Sequence, residues 1–98
     1  MRITESREKQ RIILFVSGVV NQAVSTQLQS EIFRALKVNK NIVLDFKEVE
    51  TIDDAGIVVL QAGMKAASGN RGTFELRSAN NIVKNAVRTA GIGRIITF

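Results

Sequence analysis

The run Ile42-Val43-Leu44, with Asp45 and Phe46 directly behind it, restricts the fold more than any other feature of this sequence. A short, nearly continuous apolar run is what a strand presents when both of its faces are covered, so this one belongs at the centre of a sheet. The residues upstream supply neighbours for it. Ile12 to Val16 is β-branched and aromatic, is bounded by Arg11 and by Ser17-Gly18, and reads as a buried strand. A shorter strand around Ile3 pairs with it as a hairpin. From Asn21 the apolar period becomes helical, with Val24, Leu28, Ile32, Ala35 and Leu36 on one stripe and Gln27, Ser30, Glu31 and Arg34 turned away.

Downstream, a polar connection with Val49 and Ile52 as inward anchors leads to Asp53-Asp54. Ala55 to Ser68 follows, too long for a typical strand and rich in helix formers; either aspartate can cap that helix. Gly69-Asn70-Arg71-Gly72 makes a turn, and Phe74 and Leu76 alternate with Thr73, Glu75 and Arg77 as in a half-buried strand. A third helix is capped by Asn80 or Asn81, buries Val83, Ala86, Val87 and Ala90, and ends at Gly91. Ile95, Ile96 and Phe98 are expected to form a last short strand. The order ββαβαβα with a final β predicts the α/β class: a mixed central sheet of about four to five strands with helices packed on it. At 98 residues the chain fits a single domain spanning 1–98.

Composition narrows the chemistry. Cys and His are both absent, which removes disulfides, thiolate nucleophiles, imidazole bases and the usual zinc sites. No apolar stretch approaches the ~20 residues of a membrane span, and MRITESREKQ has no signal-peptide core, so a cytoplasmic protein without membrane insertion is expected. Charge is uneven: residues 1–54 carry eight Lys/Arg and eight Asp/Glu, whereas residues 55–98 carry six Lys/Arg and Glu75 alone. A basic half can face an acidic protein, a nucleic acid or an anionic surface. Its cations are dispersed, with no Tyr or Trp among them for base stacking, and nucleic-acid binding is not expected.

Asp53 and Asp54 stand where a strand region meets a helix start, and there unpaired backbone N–H groups and the helix dipole favour negative charge. Helix capping alone explains one of them. The surrounding residues suggest more. Leu44-Asp45-Phe46, then Val49-Glu50-Thr51-Ile52-Asp53-Asp54-Ala55-Gly56-Ile57, resembles the signature of STAS domains, a strand ending in L-D-F and then V-x-x-I-D-S-[AST]-G-[IL]. Asp53, Ala55, Gly56 and Ile57 match by position, and Asp54 stands where the family has serine. Phe15-Val16-Ser17-Gly18 is similar to the strand and glycine before the family's first loop, although an acidic residue is common there in place of Asn21. Val83 to Ile92 is similar to its last helix and the T-G-L beyond.

In the bacterial anti-sigma-factor antagonists of this family, that serine is phosphorylated by a partner that is both kinase and anti-sigma factor, and the phosphoryl charge breaks the contact. The resemblance therefore implies a non-enzymatic, cofactor-free regulator that works by partner switching in transcriptional signal transduction. Its switch position, Asp54, lacks a hydroxyl. Asp54 then acts either as a fixed partial mimic of the phosphorylated state or as a lost switch, the second being favoured. Thr51 is a spare hydroxyl that could be modified instead, or simply the end of a polar loop.

An all-round apolar first turn in the second helix gives a separate hint. Ile57, Leu60 and Met64 form one stripe, Val59, Ala62, Gly63 and Ala66 another, and Val58 points a third way. The expected partner surface is Asp53, Asp54, Ala55, Gly56 and Ile57, with Val58, Gln61 and Lys65 as an exposed rim; a helix half-covered by its own neighbours would look the same. The partner is an anti-sigma factor or serine-kinase-like protein. The alternative is a transporter subunit, this chain being a STAS accessory subunit of an ABC-type lipid transport system. The oligomeric state is left open, a weak homodimer included. An enzyme using Asp53 and Asp54 as an acid/base pair or as magnesium ligands ranks last, because adjacent cap carboxylates diverge.

Overall fold

The computed structural model describes residues 1–97. Four strands and three helices alternate as the apolar periods require: β1 (Arg2–Arg7), β2 (Ile12–Val20), α1 (Gln22–Val38), β3 (Asn41–Ile52), α2 (Asp54–Gly69), β4 (Thr73–Arg77) and α3 (Asn81–Thr89), with a 3-10 turn at Gly93–Ile95. The sheet order is β1-β2-β3-β4. The hairpin pair β1 and β2 is antiparallel, with Ile3 opposite Val16, whereas β2, β3 and β4 run parallel.

Alternation along the strands sorts the side chains. Ile12, Leu14 and Val16 of β2, Ile42, Leu44 and Phe46 of β3, and Phe74 and Leu76 of β4 join one cluster with Leu28, Ile32, Leu60, Val83 and Val87 from the helices. Ile13 and Val43 belong to the opposite pleat and lie outside that cluster, yet both are buried. The continuous run at Ile42-Val43-Leu44 thus marks a central strand as expected. On the Val43 side, its ladder neighbours are Ile13 and Glu75, with Phe15, Asp45 and Arg77 in the adjoining row. Arg77 spans that row, with its Nε 2.9 Å from Asp45 Oδ2 and its guanidinium carbon 5.8 Å from the Phe15 ring centre, so long side chains serve as cover there.

Two strands are longer than their apolar runs. β2 passes through Ser17-Gly18 to Val20, and β3 passes through the polar stretch to Ile52, which replaces the expected connection with strand. Register shifts between Phe15 and Ser17 and between Gly18 and Val20 absorb the mismatch, Gly18 taking a φ of 95°. The extension matters because it carries Val20 and Ile52 side by side to the foot of α2. At the far end, the expected final strand is not formed. Gly93–Ile95 turns, Ile96 makes one isolated parallel bridge to Leu76, and the Thr97 N–H reaches the Leu76 carbonyl at 2.9 Å. Phe98, assigned to that strand from sequence, lies outside the described residues. Between α2 and β4, a Cβ on Gly72 would fall 1.9 Å from the Lys40 carbonyl oxygen, so only glycine lets the two connections pass each other.

Candidate functional site

The site forms where the parallel strands end and the helices begin. Asp53 follows Ile52 with extended backbone and donates its N–H to the Val20 carbonyl at 3.0 Å, continuing the β2–β3 ladder by one step. Its side chain then caps α2, Oδ1 accepting the Gly56 N–H at 3.0 Å. The other oxygen, Oδ2, accepts the Gln22 N–H at 2.9 Å, in the first turn of α1. One carboxylate therefore ties together two helix N-termini, both of which favour negative charge. Of the two aspartates that could cap, Asp53 is the cap. Asn21, placed to cap α1, makes no side-chain cap bond, and its buried Oδ1 has no partner among the described residues.

Gly56 owes its place to packing. A Cβ there would come within 2.6 Å of Ile52 Cγ1 and 2.9 Å of Val20 Cγ1, so glycine lets the first turn of α2 settle onto the strand extension. Ile57 is buried too. Of these two residues, both expected on the partner surface, Gly56 lies beneath the helix start and Ile57 is largely covered but lines the groove beside it. Ala55 is half-buried, while Asp53, Asp54, Val58 and Lys65 are exposed and Gln61 is partly so. Val58 is 59% exposed, among the most exposed large apolar side chains of the described residues. Asp54 sits in the first turn, and its side chain makes no hydrogen bond or ion pair among the described residues. Thr51 is exposed within β3, not at a loop end.

Helix α3 brings residues the sequence did not single out. A groove of about 310 Å³ runs between the two helices, with Ile52, Asp53, Asp54 and Ile57 on one side and Asn85, Ala86, Thr89 and Ala90 on the other. Ala86 and Ala90, expected in the core, are half-buried and form its floor. The available signal was the helical spacing of Asn85 and Thr89 beside the Val83 and Val87 stripe. Nothing in a side-chain pattern could have pointed to Gln22, which contributes only its backbone N–H. A larger groove, about 530 Å³, opens beside Phe15, Asp45 and Lys47 on the face opposite the helices, away from Asp54. Among the described residues no helix is long and apolar enough to cross a membrane.

A family model described as the Mlab STAS domain matches residues 3–97. The chain belongs to the STAS domain family. Solved structures agree on the fold of this STAS domain. It is similar to the unphosphorylated anti-sigma factor antagonist SpoIIAA of Bacillus, with a TM-score of 0.86, 14% identity, and 98% of this chain and 86% of that one covered. A Thermotoga maritima protein assigned as an anti-sigma factor antagonist gives a TM-score of 0.88 at 23% identity, covering 97% and 83%. A sulfate transporter family protein from Wolinella succinogenes gives 0.72 at 16% identity, covering 86% and 73%. At these identities the likeness is one of fold. No curated protein matches the sequence.

Proposed function

We propose that this STAS domain is a non-enzymatic, protein-binding regulator of the anti-sigma-factor-antagonist type, acting by partner switching with an anti-sigma factor or kinase-like protein. The observation that carries the reading is the contrast within the Asp53-Asp54 pair. Asp53 is consumed by the fold, with both oxygens accepting backbone N–H groups. Asp54 is exposed at the head of the same helix, without a partner among the described residues and one turn from exposed Val58. It occupies the position at which antagonists carry their serine, on the surface that Val58, Gln61 and Lys65 extend along α2. A carboxylate cannot accept a phosphoryl group from a serine kinase, so binding here is not switched at this residue.

Capture by the kinase-like partner, with and without ATP, tests this. The natural protein should bind equally in both conditions, and the Asp54→Ser variant should bind and then be released once ATP is added. Binding by Asp54→Ala but not by the natural protein would make Asp54 a fixed mimic of the phosphorylated state. Absence of binding by the natural protein and by both variants would overturn the reading. A second reading, a STAS accessory subunit of an ABC-type lipid transport system, draws on two findings. The matching family description names Mlab rather than an antagonist, and one structural neighbour is a transporter-family protein. Capture of a transport ATPase in place of a kinase would favour it.

A further inference from the structure

The groove beside Asp54 carries a charge opposite to that of the chain that builds it. The sequence has a net charge of +5, yet Asp53 and Asp54 line this groove and no Lys or Arg does. The larger groove on the opposite sheet face shows no such bias, since Arg2 and Lys47 there face Asp45 and Glu48. In the smaller groove only one carboxylate is available. Asp53 has both oxygens committed to backbone N–H groups, whereas Asp54 has no partner among the described residues. Below it the surface is apolar, made of Ile52, Ile57, Ala86 and Ala90. A volume of about 310 Å³ is at the lower limit of small-molecule pockets, ~300 Å³, and suits a single inserted side chain.

We propose that this groove seats one arginine or lysine side chain of the protein partner, its methylene stem on Ile57, Ala86 and Ala90 and its cation on Asp54. A long cationic side chain has the apolar stem and charged head that an apolar floor with an acidic rim requires. Asn85 and Thr89 on the far wall supply neutral oxygens for the remaining N–H groups of the cation. A glutamate in the same place would be repelled, and an aliphatic side chain would leave Asp54 unpaired. The inference rests on the partner-binding reading and deepens it: the negative charge at position 54 attracts the partner. Its role is then a contact, not an imitation of a phosphoryl group.

A titration that contains no protein partner tests the groove directly. Methyl resonances of the full chain are followed by NMR as N-acetyl-arginine methylamide is added, then N-acetyl-norleucine methylamide and N-acetyl-glutamate methylamide. The arginine probe should give saturable shifts confined to Ile52, Ile57, Ala86 and Ala90. Asp54→Asn should weaken its binding about threefold to fivefold, the scale of one exposed ion pair. Salt at about 0.5 M should weaken it similarly by screening. Ala86→Leu, which fills the floor and leaves the charge in place, should abolish the shifts. Absent shifts, shifts unchanged in Asp54→Asn, or shifts matched by the norleucine probe would overturn the proposal. Failure here leaves the capture experiment free to succeed, and failure of capture leaves the groove's preference standing, so the two readings fall separately.

Discussion

Helix α2 is capped by Asp53 and helix α3 by Asn80, and in both the capping oxygen accepts the N–H three residues on, from Gly56 at 3.0 Å and from Val83 at 2.9 Å. The remaining side-chain atom separates them. Asp53 Oδ2 faces a donor, the Gln22 N–H, and only a carboxylate can accept on both sides. Asn80 Nδ2 faces acceptors, the carbonyls of Val49 at 3.2 Å and Glu50 at 3.0 Å, and only an amide can accept on one side and donate on the other. Each cap is matched to the backbone polarity of its second neighbour. The α3 start uses its cap to fasten the helix to β3, whereas the α2 start joins two helix N-termini and leaves Asp54, the next residue, unengaged.

The third residue of each helix breaks the comparison most strongly. In α3 it is Val83, fully buried; in α2 it is Gly56, where even a Cβ would meet Ile52 and Val20 below 3.0 Å. Gly56→Val should therefore cost more than about 3 kcal/mol, since a β-branched side chain has nowhere to go without moving α2 off the strand extension. Urea unfolding would show it as a lower midpoint, and an unchanged midpoint would mean that α2 can lift without penalty.

The caps come next. Asp53→Ala removes an N-cap and the bond to Gln22, and should cost about 2 kcal/mol. Asp53→Asn keeps one acceptor and turns an NH₂ toward the other N–H, so about half that loss is expected, with faster amide exchange at Gln22 or Gly56. Asn80→Asp is the mirror exchange. It retains the bond from Val83 but sets a carboxylate oxygen against two carbonyls, and should cost about 1 to 2 kcal/mol. If both exchanges were neutral, the polarity matching that distinguishes the two helix starts would have no energetic content.

How far these features were legible in the sequence follows the same division. The periods of Ile12–Val16, Leu28–Leu36 and Val83–Val87 carry the elements, because a buried face leaves its spacing in the residue types. Residues Lys47 to Thr51 read as a polar connection but form strand. They pair through backbone along one flank of β2, which leaves no apolar pattern apart from Val49. The Ile95-Ile96 pair looked like a strand because buried turn residues are as apolar as strand residues. At the site, a capping aspartate and an exposed Val58 could be read in advance, but not which of Asp53 and Asp54 is the cap. Gly56 depends on how α2 settles onto the ends of β2 and β3, and Ile57, Asn85 and Thr89 on how α2 and α3 flank one groove, which no local pattern records.

The smallest stability effect belongs to the first residue of each helix. Asp54 in α2 and Asn81 in α3 are both exposed at the head of a helix, one charged and one neutral. A carboxylate there gains from the helix dipole by roughly 0.3 to 1 kcal/mol at low salt, less when screened. Asp54→Asn should therefore lower stability by that small amount, and Asn81→Asp should raise it by a similar one, both effects shrinking together as salt is added. Equal and opposite shifts would mean that the charge at Asp54 does no more for the fold than the same charge would do at α3. Its effect on capture of a partner would then have to arise at the surface. A loss of several kcal/mol in Asp54→Asn would instead reveal a structural bond at Asp54, and the contrast between a fastened Asp53 and an available Asp54 would fail.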